Sequence, residues 1–370
     1  MNSTLDPKLK IENYHMAAIR FEVCDVPVII KARAPHLIAL FADYFHYYRP
    51  QLVDELHDHT PPAAPPIGHS TITVDLKTRR HLPPLECLIP PQAELLSETG
   101  VIRLWREPAD SDSGERFYFH MGTAAFRVDP ERDYLAGLIT PEALSLSHVL
   151  TNTYTLFALL LLLRSHGLYH LHAAAVVSPR NQLYLICGAP HSGKTTLATA
   201  LGLAGWRPIS DDSLLVHARE SAAQLIALKK SFHLANEILD RWPALDGITR
   251  HHRYHHRTCV AGLEFFGATA LAEVSFGRVD HILIPQITGE APSSLRPMPA
   301  GEAVLKLAEQ SMFFQLWRKH TEQQLNLLAQ LARTAACHRL SAGTDILADP
   351  RCVAEILEQK ARDHRSGAGD

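Results

Sequence analysis

The eight residues Gly188-Ala-Pro-His-Ser-Gly193-Lys194-Thr195 leave this chain less freedom than any other part of it. They fit G-x-x-x-x-G-K-[ST] at every specified position. An apolar run, Leu183 to Cys187, leads in, and an amphipathic pattern, Thr195 to Leu203, leads out. The loop is therefore expected to join a strand to a helix start. Backbone N–H groups at a helix start, with glycines that allow close approach, form an anion cradle. Lys194 adds a point charge for the β and γ phosphates, and the Thr195 hydroxyl can ligate Mg²⁺. The expected nucleotide-binding residues are thus Gly188, Ala189, Pro190, His191, Ser192, Gly193, Lys194, Thr195 and Thr196. ATP and Mg²⁺ are the expected cofactors.

Binding a triphosphate does not by itself name a reaction. Most P-loop proteins place a second carboxylate at the end of a distant apolar strand, where it helps hold magnesium. Here "VDHILIP" reads as such a strand but carries no acid at its end. The acids that do end a strand-like run are Asp211 and Asp212, after "GWRPIS". Adjacent residues of an extended strand point to opposite sides. One carboxylate would face the magnesium and Thr195, and the other would face an acceptor hydroxyl as general base. That division is one of a kinase rather than a motor or a switch. The blander reading makes one of the pair a cap for the next element.

Bulk properties exclude more than they identify. The 370 residues suffice for two cores. A net charge of -3 gives no global field for nucleic acid or anionic lipid, so neither is an expected partner. Six cysteines without a CxxC pair read as reduced thiols in a cytoplasmic protein, and the first residues lack the pattern of a secretion signal. The most apolar run, Leu156 to Leu163, is too short for a bilayer, which needs roughly 20 residues, and reads as a buried helix. Four of the 23 histidines lie in "RHHRYHHR" (Arg250 to Arg257), with His233 upstream. A solvated loop or a phosphate-attracting basic patch fits that run better than a metal site.

Residues 1–140 alternate short apolar stretches with turn residues, as in "STITVDL", "GVIRLWRE" and "AAFRVDP". They read as a strand-rich α+β domain with one helix over Leu37 to Tyr48, a Pro-rich loop at "HTPPAAPPIGHS", and no catalytic motif. Thr140-Pro141-Glu142 supplies an N-cap, a first-turn proline and a first-turn acid, so a helix begins there and runs to about Arg164. A boundary is expected at that point. Strands and helices alternate beyond it, giving an α/β domain over 141–350, helical from about Gly301 to Arg339. A helix from Asp349 to Arg362 and a tail occupy 351–370.

At the loop and the two aspartates the chain resembles the catalytic domain of the HPr kinase/phosphorylase family. That family follows its P-loop, one helix later, with a strand ending in paired aspartates, and carries a histidine on the strand before the loop. "GAPHSGKTTLA … GWRPISDDSLLV" and "LYHLHAAAVVS" supply these features. The resemblance implies an α/β, P-loop, HPr-kinase/PEP-carboxykinase-like fold. It implies Asp211 as general base, His172 tuning it, Asp212 and Thr195 holding Mg²⁺, and Lys194 on the γ-phosphoryl, with His170 a weaker candidate. It also implies a homo-oligomer. The family's glutamate and asparagine segment, tied to phosphorolysis, is not matched; Glu237 and Glu264 are its nearest stand-ins.

The leading expectation is an ATP-dependent serine kinase whose partner is a peptide or small protein carrying the acceptor serine. A small-molecule kinase of the same fold and a non-catalytic nucleotide-binding module are the alternatives. The segment "KKSFHLANEILDRWPALDGITRHHRYHHRT" is either an acceptor-recognition insert or a surface excursion. A groove lined by backbone edges beside the aspartates would favour a peptide, and a small closed pocket would favour a metabolite.

Overall fold

The computed structural model describes residues 17–53, 70–109, 114–219, 222–228, 231–246, 250–254, 257–261 and 275–366. The Pro-rich stretch up to residue 69, Glu264 and residues 255–256 of the histidine-rich run lie outside them. The fold is a mixed α/β arrangement of several sheets, dividing into two compact units, 1–166 and 167–370.

The period-2 runs of the first unit form one nine-stranded sheet. Its spatial order is Gln51–Val53, Ala17–Val23, Val26–Ala32, Ile72–Thr78, Tyr134–Ile139, Ala124–Asp129, Arg116–His120, Ile102–Glu107 and Glu94–Thr99. One face is buried: Ile72, Val74 and Leu76 alternate with more accessible Thr73, Asp75 and Lys77. A helix, Pro35–Tyr44, packs on Ala17–Val23 and Val26–Ala32 and buries Leu37, Ile38 and Phe41.

The helical stretch after Thr140 begins as its capping signals require. The Ala143 N–H donates to Thr140 Oγ1 at 3.4 Å, and that hydroxyl donates to the Thr123 carbonyl at 2.9 Å. After two short turns and one wide π-type turn it becomes the helix Leu156–Ser165, whose leucines are buried. The division between units falls after this helix, not at residue 140. The helix packs on Ala124–Asp129 and Tyr134–Ile139 of the first sheet, and His166 Nε2 meets Asp133 Oδ1 at 2.7 Å. Capping residues mark where a helix starts, but only packing decides which core it joins.

The second unit is built on a six-stranded mixed sheet, in the order Arg207–Ser210, Ala173–Val177, Leu183–Cys187, His281–Ile287, Ala336–Ala342 and Ser294–Pro297. Strand Leu183–Cys187 is buried throughout and sends alternate residues to two cores. Leu183, Leu185 and Cys187 join Ile282, Leu328 and Leu331. Tyr184 and Ile186 join Leu201, Leu283, Val353 and Leu357. Helices Ala300–Glu309 and Thr321–Thr334 thus cover one face, and Lys194–Leu203 with Arg351–Ser366 the other. The last helix therefore packs within this unit. The stretch read as helical to Arg339 changes to a strand at Ala336, where it pairs in parallel with His281–Ile287.

Two smaller sheets complete the unit. One has the order Tyr169–Leu171, Leu214–Arg219, Ala222–Ala227, Ser275–Phe276, and the other Ser231–Ala235, Arg257–Ala261, Arg250–Tyr254. The described part of the histidine-rich run is therefore antiparallel strand rather than loop. "LYHLHAAAVVS", read as one strand, is two: Tyr169–Leu171 pairs in the four-stranded sheet and Ala173–Val177 in the six-stranded one. His172 sits at the break, its amide donating to the Gln310 carbonyl at 2.9 Å.

Candidate active site

The loop Gly188–Gly193 connects Leu183–Cys187 to the helix Lys194–Leu203, as its spacing requires. His191 and Gly193 take left-handed backbone angles, φ 64° and 90°. Gly193 meets that demand at no steric cost, and it caps the helix whose first amides face the loop. The Ser192 N–H donates to the Ala189 carbonyl at 3.1 Å, closing a turn inside the loop. Lys194 is buried, and its ammonium donates to the carbonyls of Gly188 at 2.7 Å and Ala189 at 3.1 Å. The loop thus wraps its own cation. Burial also pushes the thiol of Cys187, the last residue of the lead-in strand, up to about 12.

A cavity of about 450 Å³ opens over the loop. Of the expected residues, Pro190, His191, Gly193, Lys194, Thr195, Thr196, His172 and Asp212 line it. Gly188, Ala189, Ser192 and Asp211 do not line it; Gly188 and Asp211 are buried, Ser192 is half-buried and Ala189 is exposed.

The two acids sit in a bend just after strand Arg207–Ser210, not on the strand itself. The Ser210 side chain shapes that bend, accepting from the Ser213 N–H at 3.3 Å and donating to the Ser213 carbonyl at 3.1 Å. That strand belongs to the same sheet as the lead-in strand, with Ala173–Val177 between them. In the bend the acids do take different surroundings. Asp211 is fully buried, and its Oδ2 accepts from Thr195 Oγ1 at 3.5 Å and from the His233 N–H at 2.9 Å. Asp212 keeps 27% of its side chain exposed, on the cavity wall. The expectation had Asp212 with Thr195 and Asp211 toward the acceptor. Here the acid bonded to Thr195 is Asp211, and the acid on the wall is Asp212. Strand alternation separates neighbours but does not say which one is buried, and a bend obeys it less strictly.

The two histidines of the lead-in region also diverge. His172 faces the cavity. His170 is buried, with Nε2 at 3.0 Å from Ser213 Oγ. Desolvation first, and the neighbouring His172 second, push its pKa down to about 3, against the opposing pull of Asp212. It is a neutral imidazole behind the bend.

Sequence reasoning did not single out His233 for this site. It lies on strand Ser231–Ala235, where Phe232 and Leu234 are core residues and His233 with Ala235 line the cavity. Its Nδ1 is 4.0 Å from Asp212 Oδ2. Apolar–polar alternation in "FHL" was the available signal. Glu237, one of the two stand-ins, lines the cavity from helix Asn236–Arg241. An apolar side of the cavity comes from distant sequence: Ile287, Ala342, Ile346 and Leu347.

The donors fit a metal-bound polyphosphate. A buried ammonium and a helix start provide for the anion, and Thr195, Asp211 and Asp212 offer hard oxygen donors for a divalent cation.

No family model matches the chain, and no curated protein matches it. Among solved structures, 86 chains match. One is the Hpr(Ser) kinase/phosphatase from Coxiella burnetii, at 13% identity and a TM-score of 0.30, covering 54% of this chain and 99% of that one. Among the described residues no helix is long and apolar enough to cross a membrane.

Proposed function

We propose that this protein is an ATP-dependent phosphotransferase that phosphorylates the seryl hydroxyl of a peptide or small protein. The observation carrying the proposal is the convergence of Lys194, Thr195, Asp212 and His172 on one cavity, with Asp211 hydrogen-bonded to Thr195 behind it. ATP with its divalent cation supplies the transferable phosphoryl group. Lys194 and the amides at the helix start bind the phosphates and offset charge on the group in transfer. Asp211 orients the Thr195 hydroxyl and serves the cation. Asp212, the accessible acid, takes the proton of the acceptor hydroxyl on one carboxylate oxygen and leaves the other to the cation. The acceptor oxygen then bonds to the terminal phosphorus, and the bond to the departing diphosphate breaks. His172 lines the same cavity wall.

A chain-borne acceptor is favoured over a metabolite by two features. About 450 Å³ is the scale of one drug-sized ligand, leaving little room to enclose a second. Strand Ser231–Ala235, which lines the cavity, is at the edge of its three-stranded sheet among the described residues. An extended peptide can add to the part of such an edge that Asp211 does not occupy.

The test offers γ-labelled ATP and a divalent cation to a host lysate with wild type and Asp212→Asn. Acid-stable label in a discrete peptide or protein band with wild type, reduced about 10²- to 10⁴-fold in rate by the substitution, supports the proposal. Label in a metabolite instead would make the protein a small-molecule kinase. ATP binding with no transfer to anything would leave a nucleotide-gated binding module.

A further inference from the structure

We propose that Asp211, Asp212 and His233 form a divalent-metal site with a mixed oxygen and nitrogen donor set, one that prefers Mn²⁺ to Mg²⁺. The purpose of the site rests on the phosphotransferase reading, but its existence does not. One ligand atom from each of the three residues lies within 4.8 Å of the other two.

The imidazole is held in place by its own backbone. The His233 N–H donates to Asp211 Oδ2 at 2.9 Å, and Phe232 and Leu234 anchor the strand on either side of it in the core. The ring has no choice of face. Its Nδ1 lies 4.0 Å from Asp212 Oδ2, too far for a hydrogen bond. Donors on one octahedral ion, with bonds of about 2.1 Å, lie about 3 Å apart as neighbours and about 4.2 Å apart across the ion. Binding therefore draws Asp212 and His233, both partly exposed, toward fully buried Asp211.

Donor chemistry then sets the preference. Mg²⁺ takes oxygen ligands and gives up its waters reluctantly. Imidazole suits later first-row dications, and carboxylate suits Mg²⁺ and Mn²⁺ alike. A site with two carboxylates and one imidazole favours Mn²⁺ over Mg²⁺ by the nitrogen it adds.

The test is a titration of the nucleotide-free full chain with Mn²⁺, read by electron paramagnetic resonance and by nitrogen modulation of the electron spin echo. Wild type is expected to bind Mn²⁺ with imidazole nitrogen coupling and to keep it against at least ~10-fold excess Mg²⁺. The His233→Gln variant is expected to lose the coupling and to bind Mn²⁺ at least ~10-fold more weakly, with Mg²⁺ affinity changed far less. His191→Gln, in the phosphate loop rather than the acid cluster, is expected to keep the coupling. Bound Mn²⁺ without nitrogen coupling overturns the proposal, as does coupling that survives in His233→Gln, or no Mn²⁺ binding at all. Should His233→Gln not fold, loss of coupling in His191→Gln would assign the nitrogen elsewhere and overturn it equally. Nitrogen-coupled Mn²⁺ in a protein that transfers no phosphate would keep the metal site and remove the kinase.

Discussion

At the scale of single residues, the site depends on groups whose surroundings are already arranged. Lys194 makes charge-assisted bonds of 2.7 and 3.1 Å to its own loop. Lys194→Met is expected to weaken ATP binding by about 10- to 150-fold, the equivalent of one charged hydrogen bond at ~1.5–3 kcal/mol, as calorimetry would show. An unchanged affinity would take Lys194 out of the phosphate site. His170 gives a stability signature. Its folded pKa of about 3 lies below the ordinary histidine value of 6.5. Between those values the unfolded chain binds the proton and the folded one does not, so stability falls as pH drops through that window. The slope from this one group approaches about 1.4 kcal/mol per pH unit. Urea unfolding of His170→Gln against wild type from pH 7 to 4.5 should show the variant's profile flatter by that amount; parallel profiles would refute the assignment.

At the scale of elements, the first unit's sheet was legible because alternation is its own signal: one face is core and the other is not. Gly137 shows how tightly that core closes. A Cβ there would meet Leu76 Cδ2 at 2.7 Å and Phe126 Cε1 at 2.9 Å, both on buried side chains. Gly137→Ala is expected to cost about 1–3 kcal/mol in thermal or denaturant unfolding, and a neutral result would mean the neighbours yield freely. The phosphate loop was equally legible, because strand, glycines and helix are contiguous. The rest depends on pairing between distant segments. Nothing local says that the strand before the loop changes sheets at His172, or that Ser231–Ala235 brings His233 against an aspartate 22 residues earlier. Which aspartate is buried was settled by the bend Ser210 organises, through contacts that alternation cannot encode. The helical stretch from Pro141 carried its start signal at Thr140 in sequence, but the allegiance of its last part, Leu156–Ser165, is a matter of packing on Ala124–Asp129.

At the scale of the whole molecule, 23 histidines set against a net charge of -3 make pH the main control of surface charge. The chain is near neutrality at about pH 6.8. Self-association by light scattering should peak near that pH and fall toward pH 6, as histidines add positive charge; a flat profile would mean charge does not govern association. The second unit carries a more specific lever. Because the chain crosses from one sheet to another at His172, whose side chain faces the cavity, that residue works as a rivet through a seam. Anything gripping it from the cavity holds both plates at a fixed angle. Amide exchange across Tyr169–Val177 should then slow when ATP and metal are added, and unchanged exchange would mean the seam is already locked. A ligand at this rivet would be felt in two sheets at once, so the cavity is also the place from which their joint can be set.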